Sequence, residues 1–338
     1  MRMPLFAAAI AAATVSLTAS GYAANLTGAG GTAIYPVLSK WAAEYAKQTG
    51  DTINYQPIGS GGGIKQIESK TVLFANTDMP LKPEEVAKEG LVQFPQVIIS
   101  ITPVVHLANV KAGELVFDGP TLADVFLGKL KYWDDAAIKK LNPKVALPHT
   151  AITTVHRSDG SGTTFNFTNY LSKVSEEWKS KVGEGTAVEW PTGVGAKGNE
   201  GVAANVAQTK NSIGYVEYAY AKQNKLVYTA MINKAAKKVE PNVDSFQAAA
   251  SNADWTSAPG YYVILTDQPG EKSWPITAST FILMQRAPAD KAASGEAIKF
   301  FKWAFANGGK MAEELDYIPM PENVVKMIEK TWSADIKS

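Results

Sequence analysis

Three glycine-rich stretches in this chain each carry a short hydroxyl side chain: Gly28-Ala29-Gly30-Gly31-Thr32, Gly59-Ser60-Gly61-Gly62-Gly63 and Asp159-Gly160-Ser161-Gly162-Thr163. A helix N-terminus leaves backbone N–H groups unpaired and carries partial positive charge, so a glycine turn that feeds one is a ready seat for an oxyanion. Thr32, Ser60, Ser161 and Thr163 would add hydroxyl donors without adding charge. Taken singly, each turn reads more simply as an ordinary Ser/Thr helix cap; convergence of all three is what would make a site. Arg157 stands just ahead of the third stretch, where its planar fork could grip two oxygens of one ligand, and Asp159 is close enough in sequence to hold it. Asp78 follows the apolar Val72-Leu73-Phe74 at the end of an expected strand, where open α/β sheets place their ligands. A carboxylate among groups that attract anions needs its own reason.

The elements that must position these residues are legible from periodicity. Pro36, Val37, Leu38, Trp41, Ala42 and Tyr45 recur at helical spacing after the first glycine stretch, with Pro36 suited to a first turn and Gly50 to a stop. Ile53, Tyr55 and Ile58 alternate as a strand would, and Ile64 and Ile67 open another helix beyond the second stretch. Ile152 to His156 reads as a strand before the third stretch, and Phe167, Leu171, Val174 and Trp178 as a helical stripe behind it. Strand, glycine turn and helix repeated in this way predict an α/β protein with largely parallel sheets. The apolar, β-branched runs Gln96 to Val105 and Trp274 to Met284 are the expected crossings between two units, since no flexible linker separates the halves. Tyr215, Tyr218 and Tyr220 fit a strand running into a helix and read as core. The loop from Gly193 to Gly201 resembles a further anion turn but reads as structural.

Composition excludes several classes. With 338 residues the chain is long for one hydrophobic core, and two domains are expected. Its 33 Lys and Arg against 32 Asp and Glu leave a net charge of +1, with no basic excess for a nucleic-acid backbone. The absence of cysteine removes disulfides, thiolate metal sites and cysteine nucleophiles together. Met1-Arg2-Met3, the apolar Leu5 to Val15 and the small residues of Gly21-Tyr22-Ala23 make residues 1–23 an expected secretory signal peptide. The apolar run Val97 to Val110 is too short for a membrane span and is broken by Pro103 and His106.

Thr27-Gly28-Ala29-Gly30, Gly59-Ser60 with Gly62-Gly63, Asp78-Met79-Pro80-Leu81, Arg157-Ser158-Asp159-Gly160-Ser161-Gly162-Thr163, Gly198-Asn199-Glu200-Gly201 and Ile213 through Tyr220 follow one another in an order specific as a set. In that order the chain resembles the periplasmic phosphate-binding proteins of high-affinity phosphate ABC importers, along essentially all of its length after residue 23. The resemblance implies a type II periplasmic binding protein fold, with two α/β lobes joined by hinge strands and the ligand in the cleft. The expected division is residues 24–97 plus 276–338 for the first lobe and 98–275 for the second. It implies inorganic phosphate as ligand and an ABC permease with its cytoplasmic ATPase as partner, with a monomeric carrier in the periplasm. No cofactor, metal or catalytic residue is expected. Carried across by position, Thr32, Ser60, Asp78, Arg157, Ser161 and Thr163 would bind through side chains. Backbone N–H groups would come from Thr32, Ala33, Ser60, Gly162 and Thr163, and Asp159 would orient Arg157. Two positions depart from the family: Ala33 where phenylalanine is frequent, and Gly61 where a serine is common.

Hydrogen-bond accounting gives Asp78 its reason. Hydrogen phosphate has a hydrogen to donate and sulfate at neutral pH has none, so one carboxylate in an otherwise donor-rich pocket would select by protonation and not by size. The rival readings are a binding protein for sulfate, molybdate or tungstate, which Asp78 opposes, and a hydrolase using His156, Asp159 and Ser161. No G-x-S-x-G elbow surrounds Ser161, and strand alternation would send His156 and Arg157 to opposite faces. Gly28 to Ala33 fits the dinucleotide pattern G-x-G-x-x-A, but it lies almost at the start of an exported chain, and no Walker motif is present.

Overall fold

A computed structural model describes residues 23–337, so the expected signal peptide lies, but for Ala23, outside the described residues. Eight strands trace the main sheet: β1 (Asn25–Gly30), β2 (Thr52–Gln56), β3 (Phe74–Thr77), β4 (Leu91–Val105), β5 (Thr153–Arg157), β6 (Val194–Ala196), β7 (Ser212–Glu217) and β8 (Thr277–Gln285). Their order across the sheet is β2-β1-β3-β8-β4-β7-β5-β6. The set β2-β1-β3 at one side is parallel, as is β7-β5-β6 at the other; β8 and β4 run antiparallel between them. Parallel sheet was expected and forms both flanks, whereas the centre is antiparallel.

β4 is the spine of the molecule. All 15 of its residues are buried, as suits a strand rich in Val and Ile that is covered on both faces. Leu91 to Ser100 pair with β8, and Ile101 to Val105 pair with β7, so the strand passes from one half of the sheet to the other at Ser100–Ile101. The chain returns beside it: Ile101 N–H donates to Ile276 O at 2.9 Å, and the Trp274 indole donates to Ile101 O at 2.9 Å. Pro95 has no N–H to give, and the ladder opposite slips by one residue between Thr280 and Phe281, leaving Gln96 bulged.

Four helices matter for the cleft: α1 (Tyr35–Thr49), α2 (Ser60–Glu68), α3 (Gly162–Val174) and α4 (Gly198–Gln208). The stripe of α1 buries Val37, Leu38, Trp41 and Tyr45 as its spacing predicted. Three local expectations need correction. The first glycine stretch is not a turn throughout, because Gly28 and Gly30 belong to β1; a Cβ on Gly28 would fall 2.2 Å from the Phe74 ring, so these glycines let β1 lie close to β3. The second stretch is likewise mostly helix, since α2 begins at Ser60. Trp178 belongs to a separate helix, Glu176–Lys181, because Ser175 breaks α3 and its hydroxyl accepts the Trp178 N–H at 3.2 Å.

Aromatic contacts knit each half. Phe74 meets Phe301 edge-on at 5.0 Å on one side, and Phe167 stacks on Tyr215 at 4.2 Å on the other. Tyr215 lies in β7 and Tyr218 and Tyr220 in the helix Tyr218–Gln223 that follows, all buried, in keeping with the core reading.

Candidate anion-binding cleft

The glycine stretches lie at the carboxyl ends of parallel strands from both halves, and there they face one another. β1 ends at Gly30 and passes through Thr32 and Ala33 into α1; β3 ends just before Asp78; β5 ends on Arg157, whose turn leads into α3. Ser60 is the first residue of α2, and Ser161 caps α3 by accepting the Thr164 N–H at 3.0 Å. Among the bonds that tie the halves together are Gly61 N–H to Gly160 O at 2.9 Å, Gly162 N–H to Ser60 Oγ at 3.0 Å, and Asn166 Nδ2 to Asp78 O at 2.7 Å. Thr32, Ala33, Ser60, Asp78, Arg157, Ser161 and Thr163 are each at most 3% exposed, and the bonds of Ser60 to Asp78 and Gly162, of Arg157 to Thr163, and of Asn199 to both Thr32 and Thr163 bring these expected residues together. Thr32, Ala33, Ser60 and Thr163 give their backbone N–H groups to no partner among the described residues. Gly162 differs from expectation, because its N–H is already given to Ser60 Oγ.

Charge is arranged around a guanidinium and two carboxylates. Arg157 Nε and Nη2 donate to Asp159 Oδ1 and Oδ2 at 2.7 and 2.5 Å, a two-point grip that fixes the plane of the fork. Burial pushes the Asp159 carboxyl up, but Arg157's hydrogen bonds and charge outweigh it and hold the group below its ordinary range. Asp159 Oδ1 also accepts the Gly198 N–H at 3.1 Å, which anchors the start of α4 beside the arginine. Asp78 is different. Neither of its carboxylate oxygens has a hydrogen-bond partner among the described residues, although both are buried. Burial pushes its carboxyl up to about 6; the nearby Thr280 hydroxyl and the Arg157 charge pull against that rise without completing a hydrogen bond to it.

Several residues of the cleft were not singled out from the sequence. Asn199, in the loop read as structural, is fully buried, and its Nδ2 donates to Thr32 Oγ1 at 2.8 Å and Thr163 Oγ1 at 3.2 Å. Tyr220 donates its hydroxyl to Thr32 O at 2.8 Å, and Tyr317, from a distant part of the chain, donates to Ala33 O at 2.7 Å. Asn76 Oδ1 is a second buried acceptor without a partner; a Cβ on Gly31 would lie 2.6 Å from it and 3.2 Å from Asp78 Oδ1, which sets the two acceptors side by side. The Gly-Asn-Glu-Gly sequence was the one available sign of Asn199. For Tyr317 no local pattern existed, because its role depends on a contact 284 residues away. His156 takes no place among these groups: its ring stacks on Trp190 at 4.7 Å, and Nδ1 lies 3.1 Å from Arg157 O.

A donor-lined cleft with a buried carboxylate, closed between two α/β halves, can be set beside known proteins. A model described as the PBP superfamily domain matches residues 12–307. The phosphate-binding protein PstS of Xylella fastidiosa is 56% identical over 313 residues, covering 93% of this chain and 86% of that protein. The chain belongs to the PstS phosphate-binding protein family. The family member from Pasteurella multocida is 53% identical, covering 98% of this chain and 95% of its own length. Among solved structures, a high-affinity periplasmic phosphate-binding protein bound with phosphate aligns with a TM-score of 0.74 at 18% identity, over 91% of this chain and 93% of that one. A phosphate ABC transporter substrate-binding protein from Clostridium perfringens aligns with a TM-score of 0.63, also at 18% identity, over 88% and 100%. These structural likenesses establish the periplasmic binding protein fold of two α/β lobes.

Proposed function

We propose that the chain binds inorganic phosphate in this cleft and delivers it, in the periplasm, to the permease of an ABC importer. The observation that carries the reading is Asp78: a buried carboxylate with no partner of its own, set among donors, has a use only if the ligand brings a hydrogen. Thr32, Ser60, Ser161 and Thr163 supply hydroxyls, and Arg157 supplies charge from a fork that Asp159 holds still. Backbone N–H groups of Thr32, Ala33, Ser60 and Thr163 complete the shell, while Gly162 acts through Ser60. The names of the relatives, as phosphate-binding proteins and phosphate transporter components, agree with this chemistry. A carrier is favoured over a hydrolase because His156 is engaged elsewhere and Ser161 Oγ serves as a helix cap. Among the described residues no helix is long and apolar enough to cross a membrane.

The test is equilibrium binding of radiolabelled phosphate to the purified chain with sulfate in large excess, alongside release of free phosphate from esters. Retained label with no ester hydrolysis is expected. Displacement by sulfate, or steady hydrolysis, would overturn the reading.

A further inference from the structure

The direction of the hydroxyls in the cleft is decided by the groups that donate to them. Asn199 Oδ1 accepts the Glu217 N–H at 2.9 Å, which fixes the amide so that Nδ2 faces the cleft. Thr32 Oγ1 then receives two N–H bonds, from Asn199 Nδ2 at 2.8 Å and from Asn199 N at 3.1 Å. A hydroxyl has two lone pairs and one hydrogen. With both lone pairs occupied, Thr32 has only its hydrogen to offer a ligand. Ser60 Oγ is in the same position, receiving Gly162 N–H at 3.0 Å and Asp78 N–H at 3.3 Å. Thr163 Oγ1 receives Asn199 Nδ2 at 3.2 Å and an outer-range bond from Arg157 Nη1 at 3.5 Å.

We infer that Asn199 is a positioning residue that commits Thr32 and Thr163 to donate, and that for Thr32 this commitment is made only as the two halves close. Thr32 belongs to the side of the sheet built on β1, and Asn199 to the side built on β5 and β7. Gly162 treats Ser60 in the same way from the same side. Before the halves meet, each of these two hydroxyls can turn either way, giving or accepting a hydrogen. Closure removes the accepting option at both and leaves a ligand hydrogen no place there, which directs it to the unpartnered acceptors at the end of β3, the Asp78 carboxylate and Asn76 Oδ1 beside it. Asn199 therefore links the motion of the halves to the protonation pattern that the cleft accepts. This rests on the phosphate reading above and goes beyond it in naming the residue that sets donor polarity.

The test is a double-mutant cycle by calorimetric titration of inorganic phosphate into the full chain, using Thr32→Val, Asn199→Asp and both together. Thr32→Val alone is expected to weaken binding about 10- to 100-fold, the worth of one donor to a charged group. In Asn199→Asp the new carboxylate takes the hydrogens of Thr32 and Thr163, so adding Thr32→Val should then cost less than about threefold. The same Thr32→Val factor in both backgrounds would overturn the inference, since a merely structural Asn199 leaves the two losses independent. If circular dichroism shows Asn199→Asp unfolded, Asn199→Leu runs the same cycle; the Thr32→Val cost is then expected to shrink at least about threefold, and an unchanged cost overturns the inference. Wild-type protein that binds no phosphate would remove the functional reading itself, an outcome distinct from additive losses in a protein that binds.

Discussion

Asp78 carries a cost that only its ligand offsets. Its folded carboxyl titrates near 6 against an ordinary value of 3.8, because burial disfavours the charged form. The folded state therefore holds an extra proton between about pH 4 and pH 6, and stability falls as pH rises through that window, levelling off above it. At pH 7 the shift corresponds to roughly 3 kcal/mol of destabilisation. Asp78→Asn is expected to raise stability at pH 7 by about 1 to 3 kcal/mol in phosphate-free buffer, with little gain at pH 4. Urea denaturation at the two pH values checks this. A variant less stable than wild type at pH 7 would show that the carboxylate is satisfied by something other than a ligand. Arg157 shows the opposite economy: Asp159 grips it on two points, so its charge is held ready at no further ordering cost when the ligand arrives.

Helix starts and strand ends do the positioning, and the closeness of their approach sets the tolerance. A Cβ on Gly162 would lie 2.6 Å from both Asp78 Cβ and Ser60 Oγ, at the point where α3 meets the other half. Gly162→Ala is thus expected to hold the halves apart and to weaken phosphate binding about 10- to 100-fold, the equivalent of an overpacking penalty of roughly 1–3 kcal/mol, while helix content stays unchanged. Calorimetry with circular dichroism measures both, and near-wild-type affinity would contradict the packing argument. Much of this level was legible in the residues. Helical spacing gave α1, and the strand ends at Thr77 and Arg157 placed Asp78 and Arg157 correctly. What escaped was the part governed by neighbours distant in sequence. Nothing in Gly28-Ala29-Gly30 says that these residues extend a strand; the Phe74 ring and the Asn76 backbone of β3 require it. Asn199 belongs to the Gly198-Asn199-Glu200-Gly201 motif, yet its task depends on meeting Thr32 across 167 positions, and periodicity is silent about that. Asn76 was not singled out, because its surroundings are supplied by β8, where Thr280 Oγ1, 204 positions away, accepts its Nδ2–H.

Across the whole molecule, the two halves share β4 and the returning strand beside it, and they touch again at the cleft through Gly61, Gly162, Asn166 and Asn199. This is the architecture of hinge closure: strands that cross together form a narrow bend, and the ligand groups lie on both sides of it. Phosphate favours the closed form only through contacts made better there; the bonds from Asn199 and Gly162 to Thr32 and Ser60 exist only across the cleft, and they prepare such contacts by leaving those hydroxyls a hydrogen to give the ligand. Selection by the ligand's own hydrogen then follows from a buried acceptor facing hydroxyls, at Thr32 and Ser60, that have only hydrogens left to give. The direct measurement is the ratio of phosphate to sulfate affinity at pH 8, by competition titration, in wild type and in Asp78→Asn. A wild-type preference on the order of 10⁴ or more is expected, reduced at least about tenfold in the variant, whose amide can donate to sulfate. An unchanged ratio would mean that the carboxylate does not read the ligand's hydrogen.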